Sequence, residues 1–92
     1  MILTFKHKGL KMLYQTDSKR GVQAFHARRL KRILTLLDQA HSPEDLMIPT
    51  YRTHQLAGNL DGLWSMTVND NWRVVFRFRG QDVEGVDLVD YH

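Results

Sequence analysis

The spacing of apolar residues changes character near Tyr51. Before it they recur every three or four positions; after it they alternate with polar ones. The first period marks an amphipathic helix and the second a half-buried strand. Residues 23–40 carry the strongest helical pattern. Ala27, Leu30, Ile33, Leu34 and Leu37 fall on one face, and Arg28, Arg29, Lys31 and Arg32 on the opposite one. This predicts a helix laid on a sheet with its basic side outward. His26 lies near the border of the two faces and reads as structural or solvated. Residues 7–14, with Leu10, Leu13 and Tyr14, predict a weaker helix that stops near Thr16-Asp17-Ser18, and Gly21 punctuates the chain after it. Residues 2–5 (Ile-Leu-Thr-Phe) read as a short first strand. Ser42-Pro43-Glu44-Asp45 reads as a turn or a helix start, with Ser42 as cap and Pro43 at the first helical position. Pro49 closes the loop that follows.

Beyond Tyr51 the strand candidates are residues 52–56, 63–68, 72–78 and 83–89. Turn signals separate them: Gly58-Asn59-Leu60-Asp61-Gly62, Asn69-Asp70-Asn71 and Arg79-Gly80-Gln81-Asp82. Short connections of this kind give a hairpin meander. The expected order is β-α-α-β-β-β-β, an α+β fold with two helices packed on one face of a mainly antiparallel sheet. In residues 72–78, Trp72, Val74, Phe76 and Phe78 share one face, while Arg73, Val75, Arg77 and Arg79 share the other. The first set belongs against the helices. The second lines up three arginines, an arrangement that repels itself unless it meets anions; solvated arginines on an open face are the plainer account. Trp64 alternates in phase with Met66 and Val68, which places it in the core rather than on a base-stacking platform.

Composition narrows the class. The chain has 92 residues, no cysteine, 42% hydrophobic and 25% charged residues, as expected of one small globular domain over 1–92. Without cysteine there is no thiolate nucleophile, no disulfide framework and no zinc–thiolate site. No apolar run approaches the ~18 residues of a membrane span. The start, with its charges after a short apolar stretch, is wrong for a signal peptide. A cytoplasmic protein without membrane contact is expected. Net charge is only +3, but residues 1–32 hold nine Lys/Arg against one acid (+8), and residues 33–92 four Arg against nine acids (−5). A basic helical segment on a small domain suits a polyanion such as nucleic acid.

Candidate chemistry is sparse. Phosphate loops, dinucleotide fingerprints and nucleophile elbows are missing from the sequence. What stands out is Asp90-Tyr91-His92, a carboxylate, a phenol and an imidazole after a strand-like run, together with His54 in another such run. If the two strands lie side by side, the imidazoles face one reacting group, one as base and the other as acid. A metal site from His54, Asp90 and His92 is the lesser alternative, since no other ligand spacing supports it. No cofactor is expected. Two histidines, a carboxylate, a tyrosine and an arginine row fit metal-free RNA cleavage, in which the ribose 2′-hydroxyl attacks the adjacent phosphate.

At these residues the chain resembles the HigB toxins of bacterial toxin–antitoxin pairs, within the RelE/ParE superfamily. The resemblance runs the whole length. It rests on Phe5-Lys6-His7-Lys8-Gly9-Leu10, Arg52-Thr53-His54-Gln55-Leu56, Trp64-Ser65, Val68-Asn69-Asp70-Asn71-Trp72-Arg73 and Val89-Asp90-Tyr91-His92. It implies a RelE-like fold and a ribosome-dependent endoribonuclease that cuts mRNA. It also implies a helix-turn-helix antitoxin of the HigA kind, with operator DNA bound only through the toxin–antitoxin complex. By the family pattern His54, Asp90, Tyr91 and His92 form the active site. Asn71 and Arg73 lie in the mRNA-contacting region, with Arg77 aligned beside Arg73. Arg28, Arg29, Lys31 and Arg32 are the expected ribosome-docking face. One departure stands at Ala57, where the family often carries a lysine in the loop after His54; the phosphate contact then leans on Arg73 or Arg77. Base and acid remain interchangeable between the imidazoles, although the α-carboxylate on His92 favours His92 as acid and His54 as base. The rival readings are a non-enzymatic ParE-like toxin that poisons DNA gyrase by binding, a plain RNA-binding module, and a ribonuclease that needs no ribosome.

Overall fold

The structure, a computed structural model, describes residues 1–57 and 62–90. Two helices pack on a four-stranded antiparallel sheet of order β1-β2-β3-β4, formed by His54–Gln55 (β1), Trp64–Thr67 (β2), Trp72–Arg79 (β3) and Asp82–Asp90 (β4). Helix α1 spans Lys8–Thr16 and α2 spans Ala27–Gln39. Three short 3-10 turns, Ala24–His26, Pro43–Leu46 and Pro49–Tyr51, make the connections.

Local chemistry sets the helix limits. The His7 Nδ1 accepts the Leu10 amide at 3.1 Å and caps α1. Asp17 ends it in the left-handed region (φ 58°), its N–H donating to the Leu13 carbonyl. Leu10 and Leu13 of α1 and Leu30, Ile33, Leu34 and Leu37 of α2 are buried against Met66, Val74, Phe76, Val83 and Val86 of the sheet. Trp64 packs half-buried on this core, on the face the alternation assigned to it. Gly9 lets the start of α1 meet Gly21, for a Cβ on Gly9 would lie 2.2 Å from the Gly21 carbonyl oxygen.

Three expectations change. The first strand is reduced to two isolated parallel bridges, Ile2 to Val83 and Phe5 to Val86. Between them β4 bulges: Val75 pairs with Asp87 but Arg77 with Glu84, and Gly85 takes the left-handed φ of 65° that the extra residue needs. The bulge breaks what would be one continuous edge strand into two bridges. Residues 52–56 shorten to His54–Gln55, because Arg52 turns left-handed (φ 48°) to close the Pro49–Tyr51 turn and Thr53 donates its hydroxyl to the Leu46 carbonyl. Ser42 makes no side-chain cap; Asp45 instead accepts the His41 amide at 2.9 Å, holding a 3-10 turn with Pro43 at its start. Among the described residues no helix is long and apolar enough to cross a membrane.

Candidate active site

The sheet face away from the helices carries the candidate site. Register places His54, Ser65, Val75 and Asp87 in one row across the four strands, and residues paired in this way share a face. The next row is Thr67, Arg73 and Val89, and Arg77 pairs with Glu84 beyond it. Ser65 and Val75 are buried even here, so this face has a closed floor. His54 therefore sits on the first strand on this face, whereas Asp90, at the end of the fourth, pairs with Trp72 on the face that meets the helices. The two strands are not neighbours, as the side-by-side arrangement required: β2 and β3 lie between them, a lateral distance of roughly 14 Å at the usual strand spacing. Tyr91 and His92, the rest of the expected catalytic group, lie outside the described residues, as does most of the loop after Ala57. Among the described residues no three His, Asp or Glu side chains come together as metal ligands.

His54 is exposed, and its Nδ1 lies 2.8 Å from the Arg52 carbonyl oxygen. A carbonyl only accepts, so Nδ1 carries the proton and Nε2 of the neutral ring keeps its lone pair. The left-handed turn at Arg52 aims that carbonyl. The same backbone irregularity that shortens β1 thus fixes the imidazole tautomer.

The β2–β3 connection is built on Asn69. Its Oδ1 accepts the Asn71 and Trp72 amides, each at 2.8 Å, an Asx turn that leaves Asn71 exposed at the tip. Its Nδ2 contacts the His26 Nε2 at 2.8 Å. Arg73, expected to face anions, sends Nη1 to the Asn69 carbonyl and, at 3.1 Å, to the Trp72 carbonyl. Arg77 differs: its Nε is buried and has no hydrogen-bond partner among the described residues. The neighbouring acid Glu84 pairs with Arg79 at 3.6 Å. A buried donor without an acceptor is costly, and because this Nε is shielded from solvent, an anion meeting Arg77 would meet the outer nitrogens of its guanidinium.

The basic helix face divides. Arg28 and Arg32 are exposed and line a groove of about 360 Å³ with Phe25, Arg29 and Tyr51. Lys31 pairs with Asp17. Arg29 is turned inward rather than outward. It donates to the Thr50 and Thr67 carbonyls and stacks 4.4 Å over the Tyr51 ring. Two roles escaped the sequence reading, Asn69 as a hub and Arg29 as a strut; His26, read as structural or solvated, is buried against Asn69. Only Asn69 had a local signal, the Asn-Asp-Asn turn run.

Comparison with known proteins agrees with this architecture. Residues 3–92 match the model of the RelE-like toxin of the type II toxin–antitoxin system HigB. The Endoribonuclease HigB of Proteus vulgaris is 39% identical over 92 residues, covering all of both chains. Toxin HigB-1 of Vibrio cholerae is 38% identical over 93 residues, covering 99% of this chain and 94% of that protein. Among solved structures, the YoeB–YefM complex from Staphylococcus aureus superposes with a TM-score of 0.64 at 18% identity, covering 100% of this chain and 95% of that one. The E. coli DinJ–YafQ toxin–antitoxin complex gives 0.60 at 20% identity, covering 98% and 90%. With the sequence matched from residue 3 to residue 92 and the RelE-like fold present, the chain belongs to the HigB-like toxins of type II toxin–antitoxin systems.

Proposed function

We infer that this chain is an endoribonuclease toxin that cuts mRNA on the ribosome by metal-free acid–base chemistry. Its family and a full-length relative named as an endoribonuclease support the nuclease reading. One observation carries the mechanism: the His54 Nδ1–H is held by the Arg52 carbonyl, which leaves Nε2 as an exposed proton acceptor. His54 takes the proton of the 2′-hydroxyl as O2′ attacks the adjacent phosphorus. The bond to the 5′-oxygen breaks, and His92 returns a proton to that oxygen. The products are a 2′,3′-cyclic phosphate upstream and a free 5′-hydroxyl downstream. Asp90 and Tyr91 complete the group. Arg77 and Arg73 meet the charge that gathers on the phosphoryl oxygens, and Asn71, at the exposed tip of its turn, contacts the message. Arg28 and Arg32, with Lys31 beside them, face ribosomal RNA, while Arg29 is engaged with the Thr50 and Thr67 carbonyls. A helix-turn-helix antitoxin of the HigA kind restrains the toxin in the cytoplasm, and operator DNA is engaged only by the pair.

The test is cleavage of mRNA bound to ribosomes kept intact with polyamines, in EDTA, followed by analysis of the product ends. A 5′-hydroxyl on the downstream fragment is expected. A 5′-phosphate, or strict dependence on added metal, overturns the mechanism and returns His54, Asp90 and His92 to a metal role. Full toxicity after replacement of both His54 and His92 overturns the nuclease reading in favour of gyrase poisoning by binding.

A further inference from the structure

His26 has no part in the chemistry above, yet it is 7% exposed and its position is closely defined. It ends the 3-10 turn Ala24–His26 and precedes α2 without capping that helix with its side chain. The ring is therefore available for a tertiary contact, which it makes with the β2–β3 turn. The direction of that contact follows from the hydrogen bonds. The Asn69 Oδ1 already accepts two amides, from Asn71 and Trp72, so the other end of the amide, Nδ2, must face His26. Nδ2 only donates; at 2.8 Å the His26 Nε2 must accept. The ring is then neutral with its proton on Nδ1. Phe25 packs against it, ring centroids 4.1 Å apart.

Asn69 thus uses each of its polar groups. Nδ2 goes to His26, Oδ1 to the two turn amides, its own N–H to the Trp72 carbonyl at 3.3 Å, and its carbonyl receives Arg73. Rotating the amide by half a turn would put NH₂ against two N–H donors and an oxygen against a lone pair, losing three bonds at once. His26 is the contact that selects the orientation from outside the turn.

We propose that His26 is a positioning residue, acting through Asn69 to hold the turn that presents Asn71 and Arg73 to the message. The proposal rests on the reading of Asn71 and Arg73 as message contacts. It predicts a particular pattern of coupling. His26→Ala frees the Asn69 amide to rotate, and misplacement of the turn lowers single-turnover cleavage at saturating toxin by about ten- to a hundredfold. His26→Gln, whose Oε1 can accept from Nδ2, recovers most of that loss. In an Asn69→Ala background, His26→Ala adds nothing further, because residues acting through one contact are not additive.

The experiment measures cleavage of mRNA on programmed ribosomes for the three single variants and the double variant. It is paired with ¹H–¹⁵N spectra of the free proteins. His26→Ala should shift the Asn71 and Trp72 amides while the amides of Leu30 and Phe76 stay in place. Additive losses in the double variant, a His26→Gln as impaired as His26→Ala, or unmoved Asn71 and Trp72 amides would overturn the proposal. Should His26→Ala unfold, Asn69→Asp serves in its place. A carboxylate oxygen would then face Nε2, and the ¹⁵N shifts of the His26 ring should report its proton moved from Nδ1 to Nε2; unchanged ring shifts count against the contact. If the unaltered toxin fails to cut ribosome-bound mRNA, the nuclease reading falls, and the spectra alone decide whether His26 braces the turn.

Discussion

Arg29 of α2 reaches across to the backbone of Thr67 at the end of β2, donating from Nε at 3.3 Å and from Nη2 at 3.0 Å to one carbonyl oxygen. The helix is fastened to the sheet by this fork as well as by its apolar face. Arg28, one residue earlier, is exposed. The pair predicts a sharp contrast in stability. Charge-assisted hydrogen bonds and stacking on Tyr51 make Arg29→Ala cost about 2 kcal/mol, whereas Arg28→Ala stays within about 0.5 kcal/mol. Arg29→Lys recovers only part, lacking the planar fork. Urea unfolding of the three variants decides it, and equal midpoints for Arg28→Ala and Arg29→Ala would refute the strut.

Periodicity alone could not separate these two arginines. It located α2 and its apolar stripe, since burial repeats with the helix. An arginine side chain is long enough to leave the face on which its Cα lies, and its target, a backbone carbonyl, carries no sequence signature. The same limit explains the shortened β1. Alternation extended the strand to Arg52, but the left-handed turn there depends on how Pro49–Tyr51 packs. For the candidate site, the sequence named His54 and Asp90, and the structure separates their strands by two others. The meander read from the short connections already puts β2 and β3 between His54 and Asp90, as observed, so the side-by-side placement of their strands conflicts with the strand order the turns give.

Gly9 and Gly21 predict a steric effect. A Cβ on Gly9 would lie 2.2 Å from the Gly21 carbonyl oxygen and 2.6 Å from its carbonyl carbon, so backbone must move. Gly9→Ala should cost about 1–3 kcal/mol, although alanine is the better helix former. Thermal unfolding checks this; a stabilised Gly9→Ala would mean that the close approach is absent in solution.

Arg77 predicts opposite effects on stability and turnover. Arg77→Met removes the buried, unpartnered Nε while keeping an apolar stem of similar length. Stability should hold or rise. Turnover on ribosome-bound mRNA should fall by ~10²–10³ if the guanidinium meets the phosphate. Full cleavage by a stable Arg77→Met protein would remove Arg77 from the site.

Tyr14 gives the alkaline side of the stability profile. Its hydroxyl donates to Asp38 Oδ1 at 2.6 Å. That bond first, then partial burial and the carboxylate's charge, raise the phenol above its ordinary value of 10.0. The folded chain holds this proton more tightly than the unfolded one. The contribution is therefore present below pH ~10 and disappears as pH rises through the higher folded value. Tyr14→Phe should be slightly less stable than the unaltered protein at pH 7, with the gap closing at strongly alkaline pH; a gap that widens there contradicts the sign.

Charge reversal tests the docking face. Arg28→Glu with Arg32→Glu should weaken ribosome binding and flatten its dependence on salt by about two phosphate contacts. Fold and stability should be retained, since both side chains are exposed. Unchanged binding at low and high salt would leave the groove beside Phe25 without a role on the ribosome.

The two parallel bridges of Ile2 and Phe5 tie the first residues to Val83 and Val86 of the last strand. In the order of synthesis, the earliest part of the chain waits for almost the whole of the rest. The helices and the β2–β3 hairpin join segments nearby in sequence and can form early, but the outer edge of β4 closes only through contacts of the longest range, the slow kind in folding. The ribosome making the chain therefore carries it without its finished sheet edge for most of translation. The meeting of Ile2 with Val83 and of Phe5 with Val86 therefore sets the moment at which the toxin first has a closed sheet edge.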